Sequence, residues 1–230
     1  MTKRKIGILG GMGPEATVLM MQRIIAATKA ADDCDHVPMI VDNNTQVPSR
    51  IDALIHGTGA DPGPVLASMA QGLERAGAEA LIMPCNTAHH YAAQIKAATP
   101  VPFLSMIECS CAQIATEIPV GSKIGILASP AVRLTGLFDR ALGELGLRAC
   151  YRADDSTLLQ IIQSVKAQGP SEEALAGLNA AGQVLVADGA CCLLVACSEF
   201  SLQSRDITAV VPVVDSLDVV VAEALRFAEG

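Results

Sequence analysis

The chain has 230 residues, 51% of them hydrophobic and 3% aromatic, with a formal net charge of -8. That much apolar material can fill a sizeable core without disulfide staples. The acidic balance, with no block of Lys or Arg, argues against a nucleic-acid partner. Apolar runs broken by Gly, Pro or charge well short of about 18 residues argue against a membrane span.

The basic opening Met1-Thr2-Lys3-Arg4-Lys5 leads at once into Ile6-Gly7-Ile8-Leu9-Gly10-Gly11, too short and glycine-broken for a secretory core, so a cytoplasmic protein is expected. Ile6 to Leu9 reads as a strand. Pro14 supplies a first helical position for a helix to about Ala31, with Val18, Met21, Ile24 and Ile25 as its apolar stripe. Val37 to Asp42 is a second strand. Val65, Leu66, Met69 and Leu73 fall at helical spacing, Gly77 stops that helix, and Ala80 to Met83 follows as a strand. A helix from about Ala88 to Ala98 comes next.

A second series then begins: strand Ile124 to Leu127, helices near Leu134 to Leu145, Asp155 to Lys166 and Glu172 to Ala187, strand Leu193 to Ala196, and a final helix from Leu217 to Phe227. Strands rich in Ile, Val and Leu alternating with helices predict an α/β protein of mainly parallel sheets flanked by helices. The two series repeat each other. Lys5-Ile6-Gly7-Ile8-Leu9 recurs as Lys123-Ile124-Gly125-Ile126-Leu127, and Val101-Pro102-Phe103-Leu104-Ser105 is echoed by Val211-Pro212-Val213-Val214-Asp215. Two similar domains related by internal pseudo-symmetry are the expectation.

Cys85 and Cys197 occupy matching places in this repeat, each at the end of an apolar strand, where ligands of such sheets gather. The other six of the eight cysteines lack metal or dithiol spacing, and most read as small buried hydrophobes. A cysteine at a strand end is also commonly packing. A matched pair, each followed by a helix start, is in addition suited to holding a carboxylate beside a thiolate, with Asn86, Thr87 and Ser198 nearby. Gly11-Met12-Gly13-Pro14-Glu15-Ala16 formally fits a dinucleotide-binding turn, with Asp42 where a ribose acid would lie; a tight turn whose amides bind a small anion is the plainer reading. Arg50 and Lys166 read either as solvated charges or as a means of selecting a dicarboxylate. His89 and His90 lack a third metal ligand, and Glu199 reads either as a loop acid or as an orienting group for Cys197.

At Gly7-Ile8-Leu9-Gly10-Gly11-Met12-Gly13-Pro14-Glu15-Ala16-Thr17, Met83-Pro84-Cys85-Asn86-Thr87-Ala88-His89 and Ala196-Cys197-Ser198-Glu199, the chain resembles the aspartate/glutamate racemase family, on its aspartate racemase side. Asn43-Asn44-x-Gln46-x-Pro48-x-Arg50 and Val165-Lys166-Ala167 extend the likeness. The resemblance implies two α/β domains, 1–102 with 214–230 and 103–213, a cleft between them, a homodimer, and racemisation of a small acidic amino acid without pyridoxal phosphate, metal or other cofactor. It implies Cys85 and Cys197 as the acid/base pair, Met12, Asn86, Thr87 and Ser198 around the α-carboxylate, and Arg50 and Lys166 on the side-chain carboxylate. Ser198 and the segment Ala128-Ser129-Pro130-Ala131-Val132 depart from the family pattern. A one-cysteine isomerase or decarboxylase of a small dicarboxylate, and a non-catalytic dicarboxylate-binding or thiol-sensing protein, are the alternatives.

Overall fold

The computed structural model describes residues 3–230. The chain divides into two compact units, one formed by residues up to Met106 together with Leu217–Gly230, the other by Ile107–Ser216.

The first unit is built on three parallel strands, β1 (Ile6–Gly10), β2 (Met39–Asn43) and β3 (Ala80–Ile82), in the order β2-β1-β3. Its helices are α1 (Pro14–Ala27), α2 (Gly63–Arg75) and α3 (Ala92–Ala98). Alternation along β1 sorts the core into two faces. Leu9 and Leu81 pack with Leu66, Met69 and Leu73 of α2 and Ile95 of α3. Ile6, Ile8 and Ile82 pack on the other side with Met20 and Ile24 of α1.

The second unit has four parallel strands, β4 (Lys123–Ala128), β5 (Arg148–Cys150), β6 (Ala190–Ala196) and β7 (Val213–Asp215), in the order β5-β4-β6-β7. Its helices are α4 (Met106–Glu117), α5 (Pro130–Thr135), α6 (Leu137–Glu144), α7 (Ser156–Gln168), α8 (Glu172–Ala187) and the single turn α9 (Ser198–Ser201). Leu127, Leu193 and Val195 face Leu158 and Ile162 of α7 and Leu178 and Leu185 of α8. Ile124, Ile126 and Leu194 face Ile107 and Ile114 of α4 and Phe138 and Leu142 of α6.

The repeat holds down to single contacts. Gly7 pairs with Leu81, and Gly125 with Leu193. A Cβ on Gly7 would lie 2.8 Å from Leu81 Cδ2 and 2.8 Å from Ala78 Cβ; on Gly125 it would lie 2.7 Å from Leu193 Cδ2 and 3.1 Å from Ala190 Cβ. Both glycines let a helix and a neighbouring leucine sit directly on the central strand. The segments after the third strands also match: Pro102 O accepts from Leu81 N–H at 2.8 Å, and Pro212 O from Leu193 N–H at 2.9 Å. In the first unit this fourth position is a single bridge, Leu81 to Phe103, rather than a strand.

Each half then gives its closing helix to the other unit. The start of α4 follows the first Val-Pro segment, yet Ile107, Cys111 and Ile114 lie in the second unit's core. The last helix, α10 (Ser216–Glu229), follows the second such segment and places Leu217, Val220, Val221 and Ala224 in the first unit's core. Arg23, itself buried on α1, is fastened to Asp218 of α10 at 3.0 Å.

Some elements differ from the sequence reading. Helix α1 ends at Ala27 and buries Ala16, Thr17, Met20, Arg23 and Ile24, while Val18 and Ile25 face solvent. Of the expected stripe, Ile24 is buried and Met21 packs against the core, and the rest of the buried face is Ala16, Thr17, Met20 and an arginine whose partner is remote in sequence. The stretch 134–145 is two helices, parted where Gly136 takes φ 60°. The helix after Cys85 opens as a 3₁₀ segment, Thr87–Tyr91, before α3. Helix α4, strand β5 and the π-helical turn Asp52–His56 had no counterpart in the expected elements. Among the described residues no helix is long and apolar enough to cross a membrane.

Candidate active site

In the first unit the candidate residues gather beyond the carboxyl ends of β1 and β3. The glycine turn after β1 is fixed by Thr17, whose Oγ1 accepts from Gly11 N–H at 2.9 Å and lies 3.2 Å from Gly13 O. Gly11 has φ 89°, and a Cβ there would fall 2.3 Å from the Asn44 carbonyl group, so only glycine fits. Met12 is buried between them in sequence. Cys85, three residues past β3, is nearly enclosed at 7% exposure, and Asn86 beside it is buried.

The Cys85 loop is held by His89. Its Nε2 accepts from the Met106 N–H at 3.0 Å, which fixes the proton on Nδ1, and Nδ1 donates to the Cys85 carbonyl at 2.8 Å. Both ring nitrogens are therefore committed to the backbone, and His89 acts on Cys85 through the shape of its loop. Arg50, half-buried after β2, bends back so that Nη1 donates to Pro48 O at 2.8 Å and Val47 O at 3.2 Å.

In the second unit β6 runs into Cys197, whose carbonyl caps α9 by accepting from Phe200 and Ser201 N–H groups at 3.0 and 3.1 Å. Asp215, at the end of β7, accepts from Ser201 Oγ at 2.8 Å and Ser204 Oγ at 2.5 Å, which ties the turn after Cys197 to the sheet. Glu199 is buried at 9% exposure and turned inward. Its Oε2 lies 3.1 Å from Cys197 Sγ and 3.4 Å from Ser198 Oγ, and its Oε1 lies 3.3 Å from Lys166 Nζ on α7. Burial holds the Cys197 thiol well above its ordinary pKa, the adjacent Glu199 charge and side-chain hydrogen bond push the same way, and the Glu199 backbone N–H and then Lys166 partly oppose them.

The sequence profile of the Asp/Glu/hydantoin racemase family matches residues 9–224. The chain belongs to that family. It is an isomerase of the amino-acid racemase type. Among characterised relatives, the broad specificity amino-acid racemase RacX of Bacillus subtilis is 24% identical over 221 residues, 92% of each chain. The structure of Picrophilus torridus aspartate racemase superposes with a TM-score of 0.85 at 25% identity, covering 98% of this chain and 94% of that one. Glutamate racemase RacE1 of Bacillus anthracis shares the fold at a TM-score of 0.70 and 17% identity, covering 100% of this chain and 83% of its own.

The racemase thus presents Cys85, Asn86, Met12 and Arg50 in one unit and Cys197, Ser198 and Lys166 in the other. Thr87 begins the 3₁₀ turn beside Cys85. Two expected substrate ligands have other partners in this structure: Lys166 pairs with Glu199, and the Ser198 hydroxyl points to the same carboxylate. Sequence reasoning left Glu199 as one of two possibilities and did not connect it with Lys166. Its place two residues after Cys197 was the available signal; nothing local marks its union with a lysine 33 residues upstream. Among the described residues no three His, Cys, Asp or Glu side chains group as metal ligands.

Proposed function

We propose that the protein racemises aspartate, and glutamate as the second acidic candidate, by proton transfer at Cα between Cys85 and Cys197 without pyridoxal phosphate. The observation that carries this reading is the equivalence of the two cysteines: each follows the third strand of a unit whose strands share one order, in a chain of the Asp/Glu/hydantoin racemase family. That the Picrophilus torridus relative is an aspartate racemase favours aspartate.

In this mechanism one thiolate takes the Cα proton and the opposite thiol returns a proton to the other face. Two groups are needed because a single base returning its own proton to the same face regenerates the starting enantiomer. Charge moves from Cα into the α-carboxylate as the proton leaves, so donors that meet the carboxylate there stabilise the transition state more than the ground state. Asn86 and Thr87 on the Cys85 side, with the amides around Met12, supply such donors, and Ser198 joins them once its hydroxyl turns from Glu199. Arg50 offers free N–H positions for the side-chain carboxylate beyond the two it spends on Val47 and Pro48.

The test is incubation with L-aspartate in deuterated water, followed by chiral chromatography and mass spectrometry. D-aspartate carrying deuterium at Cα is the expected product. Failure to form D-aspartate and to exchange the Cα hydrogen would remove this function.

A further inference from the structure

The two thiols sit in matched loops, but their neighbours differ in charge. The residue two positions after Cys85 is Thr87, a neutral hydroxyl; two positions after Cys197 it is Glu199. Glu199 is not a passive neighbour. One of its oxygens faces Cys197 Sγ at 3.1 Å and the other faces Lys166 Nζ at 3.3 Å, so the carboxylate is ion-paired to the ammonium through one oxygen and addresses the sulfur with the other. An ionised carboxylate has no proton to donate, so the hydrogen bond between Glu199 and Cys197 exists only if the sulfur carries the proton. A thiolate at that distance would place two anions together in a buried site.

We infer that Glu199 is a positioning residue, held by Lys166, that makes Cys197 the protonated partner of the resting enzyme. This rests on the two-cysteine reading above. Cys197 is then the first proton donor and Cys85 the first base. One turnover moves a proton from Cα to Cys85 and another from Cys197 to Cα, leaving Cys85 as thiol and Cys197 as thiolate beside Glu199. Return to the resting form needs one proton to arrive at Cys197 and one to leave Cys85, both exchanged with water, so the balance closes without any other reactant.

Among the described residues of the second unit, Glu199 and Lys166 are the charged groups whose electrostatics bear on Cys197. Lys166 comes from α7 and Glu199 from α9; Asp215, on β7, is occupied by the Ser201 and Ser204 hydroxyls. The same arrangement gives Lys166 two claimants. A substrate carboxylate that took the ammonium would release Glu199 from its cation while the carboxylate stayed bonded to the thiol.

The equilibrium constant between enantiomers is unity, so kcat/KM is equal in both directions at every pH and cannot reveal which thiol is protonated. Thiol labelling can. The full-length protein, without substrate, is alkylated with iodoacetamide across a pH series, and each cysteine is followed by peptide mass spectrometry. The midpoint of each pH–rate curve reports ionisation, because limited access scales the whole curve without moving its midpoint. Glu199→Gln, which keeps shape and removes charge, is expected to lower the Cys197 midpoint by about one pH unit, about tenfold in thiolate at a pH below it, with Cys85 unmoved. Lys166→Met, at a side chain 43% exposed, is expected to raise the Cys197 midpoint. An unmoved Cys197 midpoint in both variants, or equal shifts at Cys85 and Cys197, overturns the assignment. Because no substrate is present, inactivity toward aspartate would count against the proposed reaction and leave this result standing.

Discussion

The loop after β3 and the loop after β6 are copies that solve the same geometric task with different groups. In the first, Cys85 is held through its carbonyl by an imidazole that reaches on to the Met106 amide. In the second, the residue at the same offset is Ser201, which binds Asp215 and lies 3.4 Å from the Cys197 carbonyl. The first loop is pinned by a neutral ring, the second by a carboxylate with two hydroxyls, and the second also carries a further carboxylate, Glu199, against its sulfur. The comparison teaches that the repeat preserves where the sulfurs stand and leaves their electrostatics to differ.

The strongest way to break the equivalence is to remove each sulfur in turn. Cys85→Ala and Cys197→Ala are each expected to reduce racemisation of aspartate by at least about a thousandfold, within the range that general acid–base groups supply. Each single variant should retain Cα deuterium exchange with one enantiomer, and with opposite enantiomers in the two cases. Chiral chromatography with mass detection decides it; a variant that still racemises freely would show that one half is dispensable.

Arg50 has no mirror-image counterpart in the other half, so its removal probes what the asymmetry is for. Arg50→Ala is expected to raise KM for aspartate by about 10- to 100-fold, the loss of a hydrogen bond to a charged group, with a smaller change in kcat. Steady-state kinetics on aspartate give the answer directly, and unchanged KM would take Arg50 out of substrate recognition.

The glycines test the half of the comparison that should be equal. Gly7→Ala and Gly125→Ala each force a methyl group against atoms at 2.8 and 2.7 Å, and each is expected to destabilise the protein by about 1–3 kcal/mol. Urea unfolding midpoints measure both. A large loss at one glycine and none at the other would mean that the two units do not use their central strands alike.

The loop supports give effects of the same order or smaller. His89→Leu strands the buried Met106 N–H without its acceptor and is expected to cost about 1–3 kcal/mol, while Ser201→Ala, which removes one of two hydroxyls on Asp215, should cost about 1 kcal/mol. The same unfolding curves rank them, and the reverse order would show that the Met106 N–H does not depend on His89 for its acceptor.

Much of the fold was legible because its signals are local and repeated. The central strands, α2 with its Gly77 stop, and α8 between Glu172 and Ala187 follow from hydropathy period and turn residues. What escaped depended on partners far along the chain. Part of the face of α1 escaped, Val18 and Ile25 being exposed while Arg23 turns inward to Asp218, 195 residues away. Strand β5 is three residues long and half-exposed, and so lacks a period to read. At the site, the cysteines announced themselves by repetition, whereas the Lys166–Glu199 pair joins two elements and has no signature in either. His89 was read only as a histidine lacking a third metal ligand, because its double attachment requires knowing where Met106 returns.

Gly7 and Gly125 carry one more consequence. Each marks a place where a missing methyl group is the structural requirement, and around each the same three neighbours recur: Leu73, Ala78 and Leu81 in one unit, Leu185, Ala190 and Leu193 in the other. At these two points the copies had almost no freedom to diverge, because the central residue is already the smallest and its neighbours are wedged against it. The loops beyond the strands were freer, and there Thr87 in one copy corresponds to Glu199 in the other. A duplicated scaffold with a rigid floor and an editable rim can acquire unequal acids and bases without disturbing the spacing of what lies beneath.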